Sequence, residues 1–245
     1  MIHRSRQAPA RHAAVRTRST AAMTTATLDF TVTIATTDTE LREVSVLRAQ
    51  AYGHHLPALA HSLAEPDAAD LLPGTQVLLC RSKRSGQVIG TARLQRNHPQ
   101  PLAIEASVVL PDALAALPRA EITRLAIAAG ADALVRPMLV KACYLAAVAS
   151  QIRLLVIGAR SPALVRIYRG LGFADLSEGA RPVPLAHAGN LPHQVLAFDV
   201  VSAERRWHGA RHALYGFMVE TWHPDLQLLT APAAAMAALP WREAA

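Results

Sequence analysis

Residues 31–35 alternate polar and apolar side chains and predict a first strand. Thr37 or Asp38 then caps a helix running to about Tyr52, in which Leu41, Val44, Arg48 and Ala51 recur on one stripe. Arg48 stands where an apolar residue is expected. It points toward the core or a cleft, or it lies at the stripe's edge with its methylenes packed and its guanidinium in water; periodicity does not choose.

Residues 53–75 hold Gly53, Pro57, Pro66, Pro73 and Gly74 and read as a loop, with one helical turn near 58–63. Glu65, Asp67 and Asp70 form an acidic cluster within it, a composition that usually marks a solvated loop or a cap. Residues 76–81 and 87–94 predict a hairpin around 82–86, with Gly86 supplying the positive φ of the turn and Arg93 near the end of the second strand. Residues 99–118 are irregular apart from a short helix at 112–117.

The stretch 120–127 (AEITRLAI) reads as a buried strand interrupted by two charges. Strict alternation sends Glu121, Thr123 and Leu125 to one face and Ile122, Arg124 and Ala126 to the other. A bulge between Glu121 and Arg124 would bring both charges to one cleft. An almost wholly apolar helix (138–150) and a strand (152–158) follow. The next helix has clear punctuation: Ser161 as N-cap, Pro162 at its first position and Gly172 as the left-handed residue that ends it. Closing strands are expected at 183–185 and 195–200, joined by a loop with histidines and prolines at 187–193. Residues 203–222 predict a terminal amphipathic helix, and 231–245 a weakly ordered end.

Length and composition narrow the class. With 245 residues, 51% of them hydrophobic, the chain can bury one sizeable core and is expected to be a soluble globular protein. Apolar runs are cut by Lys141 and Ser150 well short of a bilayer span, so no transmembrane segment is expected. Cys80 and Cys143 have no paired spacing and suit two reduced core thiols in a cytoplasmic protein, with no metal site. The formal charge of +7 is concentrated at the start, where Arg4, Arg6, Arg11, Arg16 and Arg18 have no acidic counterpart. That tail, without a secretory signal's apolar core, reads as a solvated, disordered terminus rather than a nucleic-acid contact.

The order strand, apolar helix, strand, helix, closed by Tyr168-Arg-Gly-Leu-Gly-Phe173, resembles the acyltransferase half of the GNAT (Gcn5-related N-acetyltransferase) superfamily. Glu121-Ile-Thr-Arg124 is similar to the Glu-x-Ser/Thr-Arg signature of two of its branches, the acyl-homoserine lactone synthases and the bacterial N-acyl amino acid synthases. Arg48 with Tyr52, the pair Asp67-x-x-Asp70, and Arg93 in Gly90-Thr-Ala-Arg-Leu94 repeat the rest of that pattern in order. Trp222-His-Pro-Asp-Leu226 brings the chain nearer the N-acyl amino acid synthases.

The resemblance implies an α/β (α+β) GNAT acyltransferase fold, a central mixed, mostly antiparallel sheet flanked by helices. It implies a disordered basic tail over 1–28, an acyltransferase domain over 29–202 and a C-terminal helical extension over 203–245. The implied activity joins a long-chain acyl group from acyl carrier protein to the amine of an amino acid. The alternatives are a lactone signal synthase using S-adenosylmethionine and a non-catalytic GNAT-like binding domain. No tightly bound cofactor is implied, only acyl-carrier protein or acyl-CoA as donor.

Residue by residue, Glu121 is the candidate base, acting through a water, with Arg124 beside it. Arg48, Tyr52, Asp67, Asp70, Arg93 and Thr123 fall on the substrate side. Leu125, Ala126, Ile127, Arg136 and Tyr168 fall on the acyl-donor side, where backbone N–H groups would hold the oxyanion. The competing reading makes Arg48, Asp67, Asp70, Arg93, Glu121 and Arg124 one buried ion network that holds the loop onto the sheet. The turn 128–136 has a single glycine, a poor cradle for a pyrophosphate, which fits a carrier-protein donor. Arg136, Lys141, Arg153, Arg160, Arg166 and Arg169 are expected to offer that acidic partner a basic side.

Overall fold

The computed structural model describes residues 23–53, 57–176 and 181–228; for 57–59 it describes the backbone alone. The bulk of the basic tail and the end at 231–245 lie outside these residues. The strands are β1 (Thr24–Thr25), β2 (Phe30–Ile34), β3 (Thr75–Ser82), β4 (Val88–Arg96), β5 (Arg119–Ile127), β6 (Leu154–Ala159), β7 (Ala174–Asp175), β8 (Val183–Leu185), β9 (Leu191–Asp199), β10 (Thr221–Trp222) and β11 (Leu226–Gln227). The α-helices are α1 (Asp38–Gly53), α2 (Pro57–Ser62), α3 (Asp112–Ala115), α4 (Val135–Ala149), α5 (Pro162–Gly170) and α6 (Val200–Gly209).

Among the described residues nine strands form one sheet, in the order β11-β2-β3-β4-β5-β6-β9-β7, with β8 also on β9. Only β11 with β2 and β5 with β6 run parallel, so the sheet is mixed and mostly antiparallel as expected. Strand alternation sorts its two faces. Leu78, Ala92, Leu94, Ile122 and Leu155 point to the side covered by α4, with Met138, Leu139 and Cys143 among their neighbours in the core. Val77 and Leu79 point the other way and pack with Leu41 and Val44 of α1. Arg93 and Glu121 alternate onto that second face, which is how two charges come to lie inside the sheet.

Local signals explain the entry and exit points. Thr37 and Glu40 form a reciprocal cap on α1: the Glu40 N–H donates to Thr37 Oγ1 (3.2 Å) and the Thr37 N–H to Glu40 Oε2 (3.0 Å). Ser161 caps α5 as read from the sequence, its Oγ accepting from the Leu164 N–H, and Gly172 sits at φ +98 behind the helix. Both cysteines are buried free thiols, each pushed up to about 12 by burial, which makes them unreactive core residues.

Two expectations are corrected at the ends of the fold. The last residues of the tail are ordered: β1 pairs with β10, and Leu28 is buried. The helix expected over 203–222 stops at Gly209, because Arg211 turns the chain through φ +49; a single π-turn (Gly216–Glu220) and β10 follow. A buried cation organises this return. Lys141 of α4 is 3% exposed, donates to the carbonyls of Phe217 (2.5 Å) and Thr221 (2.7 Å), and lies 3.1 Å from His223 Nδ1. It is therefore not part of a basic docking surface. No helix among the described residues is long and apolar enough to cross a membrane.

Burial holds the Lys141 ammonium down to about 8, against an ordinary 10.5. Between those values the unfolded chain binds more protons than the folded one, so the cost of burying this charge fades as pH rises through that window. Lys141→Met is expected to lower the melting temperature by several degrees at pH 7, because two buried carbonyls lose their donor at roughly 1–3 kcal/mol. Wild type should also gain stability from pH 8 toward 10.5 in a way that the variant does not; melts across that range check both.

Candidate active site

The site begins with a slip in a ladder. Thr91 faces Ala126 across β4 and β5, whereas Arg93 faces Thr123, so two residues, Arg124 and Leu125, stand opposite Ala92 alone. Arg124 takes φ +53 at this bulge. The parity of the strand changes there: Ile122 packs in the α4-side core, and so do Leu125 and Ile127. Arg124 is thereby turned onto the face that already carries Glu121 and Thr123, as the charge pattern of 120–127 anticipates.

On that face Arg48, Arg93 and Arg124 meet Asp67 and Asp70. Asp70 Oδ2 accepts from Arg48 Nη1 at 2.6 Å, and its Oδ1 lies 3.4 Å from Arg93 Nη1. Asp67 uses one oxygen as a cap for the 3-10 turn Ala68–Leu71, accepting from the Ala69 N–H at 3.0 Å. Its other oxygen accepts from Arg93 Nη1 (2.9 Å) and Arg124 Nη2 (3.3 Å). Arg93 Nε donates to Thr123 Oγ1 at 2.9 Å. Arg48 and Arg93 are each 1% exposed, which settles the orientation that helical periodicity left open.

Glu121 is buried at 0% exposure. Its Oε2 accepts from the Ile104 N–H (3.0 Å), and its Oε1 lies 3.2 Å from Nε2 of His187. The His187 carbonyl in turn accepts from Arg124 Nη2 at 3.3 Å. The sequence placed His187 only in a connecting loop, and no local periodicity marks it. Among the described residues, the buried side-chain nitrogen and oxygen atoms without a hydrogen-bond partner are Arg48 Nε and Nη2, Glu121 Oε1, Arg124 Nε, His187 Nδ1 and, two strands from Glu121, Thr75 Oγ1. Orphaned polar atoms are costly and scarce in folded proteins, and here they concentrate on one cluster.

A cleft of about 530 Å³ opens next to this cluster. The β5–β6 ladder extends only from Arg119 opposite Leu154 to Ile122 opposite Ile157, after which the two parallel strands part. Thr123, Arg124, Leu125, Ala126 and Ile127 line one wall, with Tyr52, Arg136, Arg160, Tyr168, His187 and His193 around them. Arg48, Asp67, Asp70, Arg93 and Glu121 are behind the wall and do not line it. Gly158 keeps the floor open, since a Cβ there would come within 2.9 Å of Leu185 Cδ1.

Charge and burial tune the lining. Burial raises the Asp67 carboxyl, but Arg93, the Ala69 N–H and Arg124 outweigh it and hold the group at about 2. Burial pushes the Tyr168 hydroxyl up to about 12, against the pull of Arg136, so it remains an O–H donor. Burial also raises Tyr52, opposed by Arg124 and Arg48, and lowers the His193 imidazole. At the turn before α4, the Leu134 N–H donates to Asp132 Oδ1 (2.7 Å), the Val135 N–H to the Asp132 carbonyl (3.0 Å) and the Ala131 N–H to the Ala128 carbonyl (3.2 Å). Pro137 has none to give.

Comparison with known proteins adds family and fold. Residues 43–209 match the family described as N-acyl amino acid synthase FeeM. Among solved structures, FeeM, an N-acyl amino acid synthase from uncultured soil microbes, aligns at a TM-score of 0.56 and 18% identity, covering 77% of this chain and 98% of that one. A CoA-dependent acyl-homoserine lactone synthase, BjaI, solved with SAM and isopentyl-CoA, aligns at 0.53 and 15% identity, covering 79% and 93%. At these identities the structural likeness is one of fold. No curated protein matches the chain.

Asp67→Asn tests the cluster. A carboxyl held at about 2 against an ordinary 3.8 stabilises the fold above 3.8, and that contribution is lost as pH falls toward 2. Allowing for its partial exposure, the variant is expected to lose about 1–2 kcal/mol at pH 7 and little at pH 2–3. Urea titrations at both pH values measure the difference.

Proposed function

The chain belongs to the N-acyl amino acid synthase FeeM family and folds as a GNAT acyltransferase, and on that premise we propose that it transfers a long-chain acyl group from acyl carrier protein to the amine of an amino acid. The observation that carries the amino acid half of this reading is an unspent guanidinium edge. Arg124 lines the cleft, and although its Nη2 meets Asp67 and the His187 carbonyl, its Nε is buried without a partner among the described residues. A buried donor without an acceptor favours a ligand that supplies one, and a planar guanidinium suits a carboxylate. Arg48 and Arg93 act behind it, with Asp67 and Asp70, as the frame that aims Arg124.

The donor half rests on the parted strands and the turn before α4. An acyl thioester laid between β5 and β6 would set its carbonyl against Leu125 to Ile127, where β5 has no β6 partner past Ile122 and backbone N–H groups on that side are open to the developing oxyanion. Tyr168 and Arg136 border the same end of the cleft. A pyrophosphate would meet the exposed Asp132 carboxylate, and the N–H groups of Ala131, Leu134 and Val135 are already spent within the turn, so the cradle offered to the adenosine end of coenzyme A is a reduced one. Of the basic residues expected to receive a carrier protein, Arg160 and Arg166 are exposed and Arg136 is partly so. Lys141 is buried, Arg153 begins β6 at the opposite end from the cleft, and Arg169 is paired with Asp175 at 2.7 Å.

Purified protein given an acyl-carrier thioester and a mixture of amino acids should yield an N-acyl amino acid detectable by mass spectrometry. A lactone product would instead place the chain with the homoserine lactone synthases. Arg124→Gln should raise KM for the amino acid by roughly 10- to 100-fold, the worth of a charge-assisted hydrogen bond, with a smaller effect on the donor's KM.

Matched acyl-carrier and acyl-CoA donors give a second measurement. kcat/KM should be higher for the carrier and should fall as salt rises, because complementary charge speeds its docking. Equal efficiency with both donors and no salt effect would return the chain to coenzyme A chemistry.

A further inference from the structure

Glu121 is fully buried and does not line the cleft; His187 does line it, with Nε2 3.2 Å from Glu121 Oε1. A bound amine therefore meets the imidazole before it can meet the carboxylate. Resting on the acyl-transfer reading, we propose that His187 is the catalytic residue that receives the amine's proton, with Glu121 as the positioning residue behind it. The atoms fit this division. One ring nitrogen lies 3.2 Å from the carboxylate, and the other, Nδ1, has no partner among the described residues but is itself covered, so the ring must turn toward a bound amine before that nitrogen takes a proton. A carboxylate beside an imidazole stabilises the imidazolium that then forms.

Arg124 gives the reason why an amine should arrive there. The His187 carbonyl accepts from Arg124 Nη2 at 3.3 Å, so the residue read as the carboxylate clamp and the residue read as the base are joined directly. An α-amino acid carries its amine and carboxylate on one carbon. Seating the carboxylate on Arg124 brings the amine to the neighbour of Arg124. His193 shares the cleft with its Nδ1 2.7 Å from the Leu191 carbonyl, which leaves Nε2 available, but the groups acting on it are His187 and Arg160, so no carboxylate steadies an imidazolium there as Glu121 does beside His187. The charged and titratable groups around His187 are thus Glu121, Arg124 and His193, with Arg160 on the far side of His193.

The step balances without a further reagent. A neutral amine attacks the thioester carbonyl and the C–N bond forms. The nitrogen, now cationic, gives a proton to His187. The tetrahedral intermediate collapses, the C–S bond breaks, and the departing thiolate takes that proton from the imidazolium, leaving an amide, a free thiol and a neutral histidine.

The test is the pH dependence of kcat/KM with an acyl-carrier thioester and the preferred amino acid, expressed per concentration of neutral amine so that the substrate's own ionisation drops out. His187→Gln should fold, lose about 10²- to 10⁴-fold in turnover and lose the acid limb of the profile. His187→Ala should recover part of its rate when imidazole is added. Glu121→Gln should keep the limb but move it to lower pH, since the imidazolium loses its counter-charge, and His193→Gln should leave the limb in place. A folded His187→Gln within tenfold of wild type, or a limb that disappears with His193 instead, would overturn the proposal while wild-type transfer stands. Wild-type protein that makes no N-acyl amino acid would overturn the acyl-transfer reading and this inference together.

Discussion

Two aspartates on a short 3-10 turn pair with three arginines that arrive from different elements, and the rest of the site depends on that shared anchorage. Taking charges out of water is expensive, and their mutual attraction returns the cost only when geometry and hydrogen bonding are good. Replacing such a network with apolar residues would be the simpler route to stability. Its value here is directional. Arg48 arrives from α1, Arg93 from β4 and Arg124 from β5, so the turn carrying Asp67 and Asp70 ties a helix and two strands to one point. The loop that contains it reads from the sequence as a region of freedom, yet its acidic part is tied by ion pairs to Arg48, Arg93 and Arg124.

The bulge in β5 converts that frame into a working surface. Without a slip of one residue, Arg124 would point into the α4-side core, where nothing could neutralise it. With the slip, the strand presents Glu121, Thr123 and Arg124 on one side and still buries Ile122, Leu125 and Ile127 on the other. A left-handed residue that is not glycine is mildly strained, and such strain persists only where the surroundings fix it. Here two acceptors, Asp67 Oδ2 and the His187 carbonyl, share the Nη2 group of Arg124 and fix its side chain. Because β6 parts from β5 just past Ile122, the same few residues both end a ladder and begin a cleft.

Much of this was legible in the chain. Alternation and capping located α1, the β3–β4 hairpin, β5 and α5 closely, and two charges inside an apolar run were enough to call for the bulge. The resemblance to the lactone and N-acyl amino acid synthases, more than any local pattern, put Arg48, Asp67, Asp70, Arg93, Glu121 and Arg124 together as one cluster. What separates its members is depth, and depth is tertiary: only the packed structure shows that Arg124 reaches the cleft while Arg48, Arg93 and Glu121 are sealed behind it. His187 escaped notice for the same reason. It lies 66 positions beyond Glu121 by their residue numbers, on a loop whose composition is ordinary, and only the pairing of β8 with β9 swings it over the sheet. Past Gly209 the helical pattern misled because α6, the π-turn and β10 place apolar residues at similar intervals while Arg211 breaks the run.

The return of the chain after α6 also bears on how the molecule behaves in company. A sheet this wide has two margins, and each ends in a strand of two residues, β11 on one side and β7 on the other. Strands that short present too few free backbone groups to recruit a second sheet. The margin beneath β11 is the more hazardous one, since β2 (FTVTI) is β-branched, aromatic and uncharged, the composition that pairs most readily with copies of itself. Asp225 guards it: its carbonyl accepts from the Val32 N–H at 2.8 Å and its carboxylate from the Leu28 N–H at 2.8 Å and Lys83 at 2.7 Å. Lys141, by holding the carbonyls of Phe217 and Thr221, secures the return that lays β11 along β2, so this edge is occupied by the protein's own backbone.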